Sequence, residues 1–440
     1  MGNLQTHEKT MTARQRRRIV AAACMGNYLE WFDFGIYAYF AVVIGKLFFP
    51  AGNEAISTLV SFSVFAVGFI MRPLGSLVIG GYGDRHGRKN AMLLTIVCMG
   101  LGSGIIAFAP TYASIGIAAP ILIILGRLFQ GFSTGGEIGA STAILMESAG
   151  EERRGFFVSW QYITQGLASV TSAGFGAALF WLLDSEQIYS WGWRIPFIFS
   201  LVIIPIGLYI RANVDETLAE DEKHTGEHHP IREIIARYPR NFIAAIGMIV
   251  PGTTMVYMVL KYTPTYMQTV STINPGMIYA MTMVASGMNV LGYLSGGLLY
   301  DRMTSRKIVP MICYSLAAGL MTLMIFSTGQ PTIFFILLLI TPFFTGIATP
   351  IGTTLVAEAF PPHVRTTAVA VSYSTGVAVF GGTTPMIISA LMSTSSKNPL
   401  SPLIWLLPVV ALGLLSYTLF DEKPRRAKIH ETENEVLGWS

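Results

Sequence analysis

The chain has 440 residues, 52% of them hydrophobic and 12% charged, with a mean hydropathy of +0.54 and a formal net charge of +4. A soluble domain carries about 25% charged residues, so half the charge needed to cover a water-facing surface is missing and an ordinary soluble enzyme is excluded. The positive excess is too small to point to nucleic acid, and at about 20 apolar residues per crossing the chain has material for about a dozen membrane-spanning helices.

A polar, basic tail over 1–18 comes first. Apolar runs between polar breaks then predict twelve spans: span 1 over 19–46, span 2 over 56–82, span 3 over 90–110, span 4 over 115–147, span 5 over 155–183, span 6 over 192–211, span 7 over 241–268, span 8 over 277–300, span 9 over 307–328, span 10 over 332–358, span 11 over 366–392 and span 12 over 400–420. Runs longer than about 25 residues predict tilt or extension beyond the hydrocarbon. Of the 29 Lys and Arg, 23 lie in the two tails and in the loops after even-numbered spans. Lys46 and Lys397 lie on opposite loops, Arg194 lies at the mouth of span 6, and Arg72, Arg127 and Lys261 fall within spans. The positive-inside rule therefore places both termini in the cytoplasm.

The longest hydrophilic interval, 212–240, reads as a cytoplasmic linker with a surface helix. It divides the chain into a six-helix unit over 19–211 and another over 241–420, with a tail over 421–440. The halves share punctuation. GDRHGRK at 83–89 is echoed by YDRMTSRK at 300–307, and Glu147 with Arg154 is echoed at nearly the same offset by Glu358 with Arg365. Two such landmarks point to a duplicated unit. Cys24, Cys98 and Cys313 sit singly in apolar runs and read as buried small hydrophobes. His224, His228 and His229 lack a fourth ligand and read as solvated linker, so no metal site is expected. Without an HExxH, a P-loop or a nucleophile elbow, neither an ATP-driven pump nor a hydrolase is expected.

The segments GNYLEWFDFGIY (26–37), RPLG (72–75), GRLFQGFSTGGE (126–137), ERRG (152–155) and WGWRIPF (191–197) join the loop motif Gly80, Gly83, Asp84, Arg85, Gly87, Arg88, Lys89 and its degenerate second copy. On these the chain resembles the major facilitator superfamily over essentially its whole length. Within it the chain is similar to the metabolite:proton symporter family, which includes citrate, alpha-ketoglutarate, shikimate and proline/betaine transporters. The resemblance implies an all-α membrane protein of twelve transmembrane helices in two pseudo-symmetric six-helix bundles. It also implies a monomeric secondary transporter of the cell inner membrane, importing a small organic solute with protons and driven by the proton gradient without a cofactor. The second loop copy departs from the pattern: it lacks the glycine between its basic residues and carries one extra residue. YTPTY (262–266) and FGGTTP (380–385) look like citrate and alpha-ketoglutarate members, whereas EWFDFGIYAY (30–39) and GKLFFP (45–50) look like proline/betaine members. A di- or tricarboxylate leads, a zwitterionic osmolyte is the alternative, and a non-transporting membrane receptor is the competing class.

A charge at mid-membrane costs about 2.5–3.5 kcal/mol on insertion scales, so each in-span charge needs a partner or an aqueous cavity. At a rise of about 1.5 Å per residue, Asp33 lies roughly 21 Å into span 1, Glu30 one turn nearer the N-tail, and Arg127 of the antiparallel span 4 at a depth similar to Asp33. Arg127, Gln130, Thr134 and Glu137 fall within an arc of about 80°, a polar stripe that must face a cavity or another helix. Tyr37 lies on the Asp33 side of span 1 and is expected to support that carboxylate. Gln161 and Gln165 of span 5, with Tyr257, Lys261 and Tyr262 of span 7 before a break at Pro264, complete the candidate substrate residues together with Tyr37 and Gln130. A carboxylate beside Arg127 stays ionised and takes a proton when separated from it in a dry environment, so making and breaking that pair would couple protons to alternating access. The resemblance favours Asp33, because sugar:proton symporters place an Asp after an aromatic in span 1 and an Arg in span 4. Glu30 is the competitor, and a static pair that fixes packing is the bland alternative. Glu137 reads as a gate, a second proton site or a structural residue. Lys261 could attract a carboxylate or snorkel to the interface. Asp84, Arg85 and Arg88 read as a latch, and Glu147 with Arg154 and Glu358 with Arg365 as gate pairs or solvated loop charges.

Overall fold

The computed structural model describes residues 13–86, 88–135, 137–149, 151–212, 230–394 and 398–420, and among these no strand forms. In hydrocarbon a segment must satisfy its own backbone, and a helix does so without a neighbour. Each predicted span is a helical rod. Span 1 is Ala13–Tyr39 followed by Ala41–Phe48, with a 64° bend between them. Span 2 is Glu54–Ile70 and Arg72–His86, span 3 is Arg88–Phe108, span 4 is Ala118–Thr134 and Glu137–Ser148, span 5 is Arg154–Leu182 and span 6 is Ile195–Ala212. The linker contributes the short helix Pro230–Arg237. Span 7 runs Pro239–Val256, Tyr257–Tyr262 and Thr263–Val270; span 8 is Pro275–Arg302, span 9 Ile308–Phe326 and span 10 Pro331–Ala359. Span 11 runs Pro362–Gly376, Val377–Gly381 and Thr384–Thr394, and span 12 is Pro402–Leu419.

Eight of these rods are long and apolar enough to cross a membrane by themselves, and the bent span 1 makes a ninth. Spans 3 and 4 hold the shorter apolar stretches Leu93–Phe108 and Ala118–Thr134. Span 5 is the polar exception: it buries Gln161, Thr164, Gln165, Ser169 and Ser172, as a helix does when protein surrounds those side chains. The middle segments of spans 7 and 11 are π-helical and are followed by Pro264 and Pro385. Proline removes an N–H, and the wider turn before it gives the freed carbonyls other partners.

Glycines set the closest crossings. A Cβ on Gly131 would run into the Gly68 carbonyl, one on Gly75 into the Phe132 carbonyl and one on Gly135 into the Arg72 carbonyl, so spans 2 and 4 touch backbone to backbone. Span 5 follows span 8 for its whole length, from Gly155 against Gly297 and Tyr300 to Trp181 against Gly276. Gly139 of span 4 meets Ala370 of span 11 near the end of the rods that carries the loops after even-numbered spans, here termed the basic face. Gly382 of span 11 meets Phe69 of span 2 on the other side of the molecule's middle. The two halves therefore meet toward both faces and enclose a chamber between them.

Candidate functional site

Asp33, Arg127 and Gln130 are all buried. Arg127 donates through Nη1 to Oε1 of Gln130 at 2.7 Å and through Nη2 to the Phe65 carbonyl at 3.3 Å. The rings of Phe34, Tyr37 and Phe65 lie 4.3, 4.6 and 5.0 Å from its guanidinium carbon. Gln130 Nε2 donates to Ser103 Oγ at 3.0 Å, and Ser103 donates on to Oδ2 of Asp33. The direct Asp33–Arg127 ion pair expected from the sequence is therefore absent, and the two charges end a four-member chain, Asp33–Ser103–Gln130–Arg127. The physical reason is local: Gln130, one turn along span 4, takes the guanidinium, and Ser103 of span 3 inserts between. Gln130 is a link in this chain. Tyr37 also departs from expectation, because its hydroxyl donates to the Ser61 carbonyl at 3.3 Å and its ring carries Arg127 instead of supporting Asp33. Oδ1 of Asp33 makes no hydrogen bond of ordinary geometry among the described residues, although the buried Ser200 hydroxyl of span 6 stands beside the carboxylate. A buried acceptor without a well-made bond costs about 1–3 kcal/mol, and a proton on that oxygen removes the charge that makes it costly.

Glu30 has its own cation. Its Oε1 lies 3.2 Å from Nη2 of Arg72, both side chains buried, and the Arg72 guanidinium carbon lies 4.4, 4.9 and 5.9 Å from the rings of Phe69, Phe34 and Trp31. Phe34 thus lies against both guanidinia, of Arg72 and Arg127. The sequence showed both charges of the Glu30–Arg72 pair but not that they meet.

The central chamber is small, about 30 Å³, room for one or two waters. Its wall includes Trp31, Tyr162, Gln165, Thr253, Tyr257, Tyr293, Tyr314, Thr349, Thr353 and Tyr373, with no acid or base among its lining residues. Tyr162 and Thr353 join the two halves across it, hydroxyl to hydroxyl at 2.5 Å. The hydroxyls of Tyr257 and Thr253 have no partner among the described residues. Of the expected substrate residues, Gln165 and Tyr257 line the chamber. Gln161 turns to span 4, where it accepts from Thr142 at 2.8 Å, and its carbonyl receives Asn27 at 2.6 Å. Asn27 also accepts from Gln165 at 3.3 Å, so this amide ties span 1 to span 5. Tyr262 packs on Phe62, with centroids 5.5 Å apart. Lys261 does not snorkel: it is 1% exposed, donates to Ser169 Oγ at 2.8 Å and sits 4.9 Å from the centre of the Tyr39 ring. Trp31, Tyr162, Tyr293 and Tyr373 were not visible as site residues, because a lone aromatic in an apolar run reads as core.

At the basic face, Glu358 accepts from Arg306 at 2.9 Å and lies 3.6 Å from Nη1 of Arg154. Arg154 opens span 5, so this pair crosses from the first half to the second. Glu358 is therefore not the partner of Arg365, which donates through Nε to the Ala357 carbonyl at 2.8 Å. The adjacency of spans 5 and 8 brings Arg154 across, which a comparison of repeats within each half could not foresee. Asp301 accepts from the backbone N–H groups of Gly155 at 2.8 Å and Phe156 at 3.0 Å, capping the N-terminus of span 5 from the other half. Asp301 and Arg306 belong to the degenerate second loop copy, and both make contacts that close this face. The side chains of Asp84, Arg85, Arg88, Glu137 and Glu147, as well as Gly87, Lys397 and the linker histidines, lie outside the described residues.

Twelve helical rods in two like halves, meeting around a small aromatic chamber and carrying buried charges at mid-span, have the architecture of a membrane transporter. The family model of the Major Facilitator Superfamily matches residues 24–385, and the chain belongs to that family. It is 36% identical to a citrate-proton symporter of Salmonella typhi over 92% of this chain and 94% of the relative. It is 33% identical to an alpha-ketoglutarate permease of Escherichia coli (strain K12), with 92% and 94% covered, and 30% identical to a proline/betaine transporter of the same strain, with 93% and 84% covered. Among solved structures it matches a xylose transporter from E. coli with a TM-score of 0.73 at 17% identity, covering 92% of this chain and 97% of the other, a likeness of fold alone.

Proposed function

We propose that this chain is a proton-coupled symporter that imports a carboxylate-bearing solute by alternating access. The observation that carries the reading is the buried chain from Asp33 through Ser103 and Gln130 to Arg127, which joins an acid to a base through two neutral links. With Asp33 ionised, the two neutral links accept from the Arg127 side and donate toward Asp33, and so hold spans 1, 3 and 4 together. A proton on Oδ1 removes the negative end, and the attraction that holds these spans is lost. Glu30 with Arg72 forms a second charge centre on spans 1 and 2, and Glu137 is a further proton or gating residue on the stripe of span 4. The moving bodies are 19–211 and 241–420, joined by the linker 212–240. Both termini lie in the cytoplasm, the protein sits in the cell inner membrane, and it works as a monomer without a cofactor. Arg154, Glu358, Arg365, Asp84, Arg85, Arg88 and Glu147 form the gate on that side.

Citrate, alpha-ketoglutarate, proline and betaine, named for the relatives, share one chemical group, a carboxylate. A di- or tricarboxylate leads because the citrate and alpha-ketoglutarate relatives carry the higher identities. A zwitterion is the second reading, favoured by the aromatic wall without formal charge, which suits an alkylammonium group. At its present volume the chamber admits neither, so loading requires the halves to part. Purified protein in liposomes, given labelled citrate, alpha-ketoglutarate, proline and glycine betaine under an imposed pH gradient, tests the reading. One of these is expected to accumulate only with the gradient, and accumulation of none would count against it.

A further inference from the structure

We propose that Lys261 is the anchor for one carboxylate of the transported solute, its ammonium resting on Ser169 until the solute arrives; the proposal rests on the chain being a carrier of such solutes. Lys261 is 1% exposed and has three donors, yet among the described residues its partners are one neutral hydroxyl and the face of Tyr39. A buried cation without an anion is costly, and a neutral residue would tie span 7 to span 5 more cheaply. The other cations buried at mid-span among the described residues are accounted for. Arg72 meets Glu30, and Arg127 reaches Asp33 through its relay. Lys261 alone of these three reaches no carboxylate, directly or through a link.

Its place in the fold says what could supply one. Trp31 of span 1 and Tyr257 of span 7 face each other in the chamber wall with centroids 6.2 Å apart. Four residues along each helix, on the same face, Gly35 and Lys261 meet: a Cβ on Gly35 would lie 3.0 Å from Nζ and 2.8 Å from Ser172 Oγ. The ammonium is therefore one helical turn from the chamber, in space that Gly35 leaves open. The chamber itself offers aromatic faces and the unpartnered hydroxyls of Tyr257 and Thr253, but no charge. A solute would lay its body against those rings and hydroxyls and direct a single carboxylate to Lys261. The Lys261–Ser169 bond joins the second half to the first, so drawing Lys261 onto the solute also loosens a contact between the halves.

The test is equilibrium binding to the full-length protein in nanodiscs, by calorimetry, using citrate, alpha-ketoglutarate, proline and glycine betaine, each against its neutral amide. Wild type is expected to prefer at least one acid over its amide by about 30-fold or more, the scale of a buried charge pair. Lys261→Met, or Lys261→Gln if the first does not fold, should abolish that preference with little change for the amide. Lys261→Arg should restore part of it, and Ser169→Ala, which frees the ammonium from its resting partner, should strengthen it, whereas a purely structural strut would lose stability in Ser169→Ala with no change in preference. The proposal is overturned if wild type prefers no acid to its amide, or if a folded neutral variant keeps the preference. Lysine-dependent binding without gradient-driven accumulation would instead remove the symport reading and leave the anchor in place.

Discussion

Glu30 and Arg72 show how much a single buried charge depends on its partner. Removing one member strands the other in an apolar setting, so Glu30→Gln should destabilise the fold by about 3–5 kcal/mol, while Glu30→Gln combined with Arg72→Met should recover most of that loss. Thermal unfolding in one detergent checks this, and a silent single variant would show that the pair contributes nothing. The individual charges were legible because apolar runs make every Asp, Glu, Lys or Arg conspicuous. Their partners were not. Helical angles give a direction around one helix but not which neighbour lies there, so Asp33 was expected on Arg127 and instead accepts from Ser103, a small residue of span 3 with no signal of its own. Lys261 was visible for the same reason as the others, and only the fold separates its two readings, by burying it against Ser169.

At the scale of elements, the crossing of spans 2 and 4 depends on glycine at contact points. Gly131→Ala would drive a methyl into the Gly68 carbonyl, one turn from Arg127, and should cost about 1–3 kcal/mol and lower uptake, whereas Gly287→Ala, which meets open space, should stay within about 0.5 kcal/mol of wild type. Equal melting shifts for the two would contradict the close crossing. The contacts at the basic face make a second prediction. Asp301→Asn weakens the cap on span 5, and Glu358→Gln breaks the tie to Arg154 and Arg306, so either should speed labelling of Thr349→Cys in the chamber from that side, in a background without Cys24, Cys98 and Cys313. Unchanged labelling would mean these contacts do not close the face. The span positions were legible from hydropathy to within about six residues, the largest difference being the start of span 1 at Ala13 where 19 was expected. The bend after Tyr39, the break at Met71 and the π turns of spans 7 and 11 were not, apart from the disturbance expected at Pro264, because an apolar pattern does not record where the hydrogen-bonding register changes.

For the whole molecule, the scarcity of charge that marks the chain as a membrane protein also concentrates its chemistry. Spans 1, 2 and 4 hold two buried acid–base centres, spans 5 and 7 hold the Lys261–Ser169 bond, and the aromatic chamber lies between the halves. The duplicated loops were read from the sequence, but the joining of the halves across spans 5 and 8, which turns Arg154, Asp301, Arg306 and Glu358 into one interface, emerges only in three dimensions. The central claim is that Asp33 carries the coupling proton. Its most direct test compares wild type with Asp33→Asn in liposomes for two activities, accumulation driven by an imposed pH gradient and counterflow exchange of the solute that wild type carries. The account predicts that the variant loses gradient-driven accumulation and keeps counterflow. Gradient-driven accumulation at the wild-type level would contradict it and move the coupling role to Glu30.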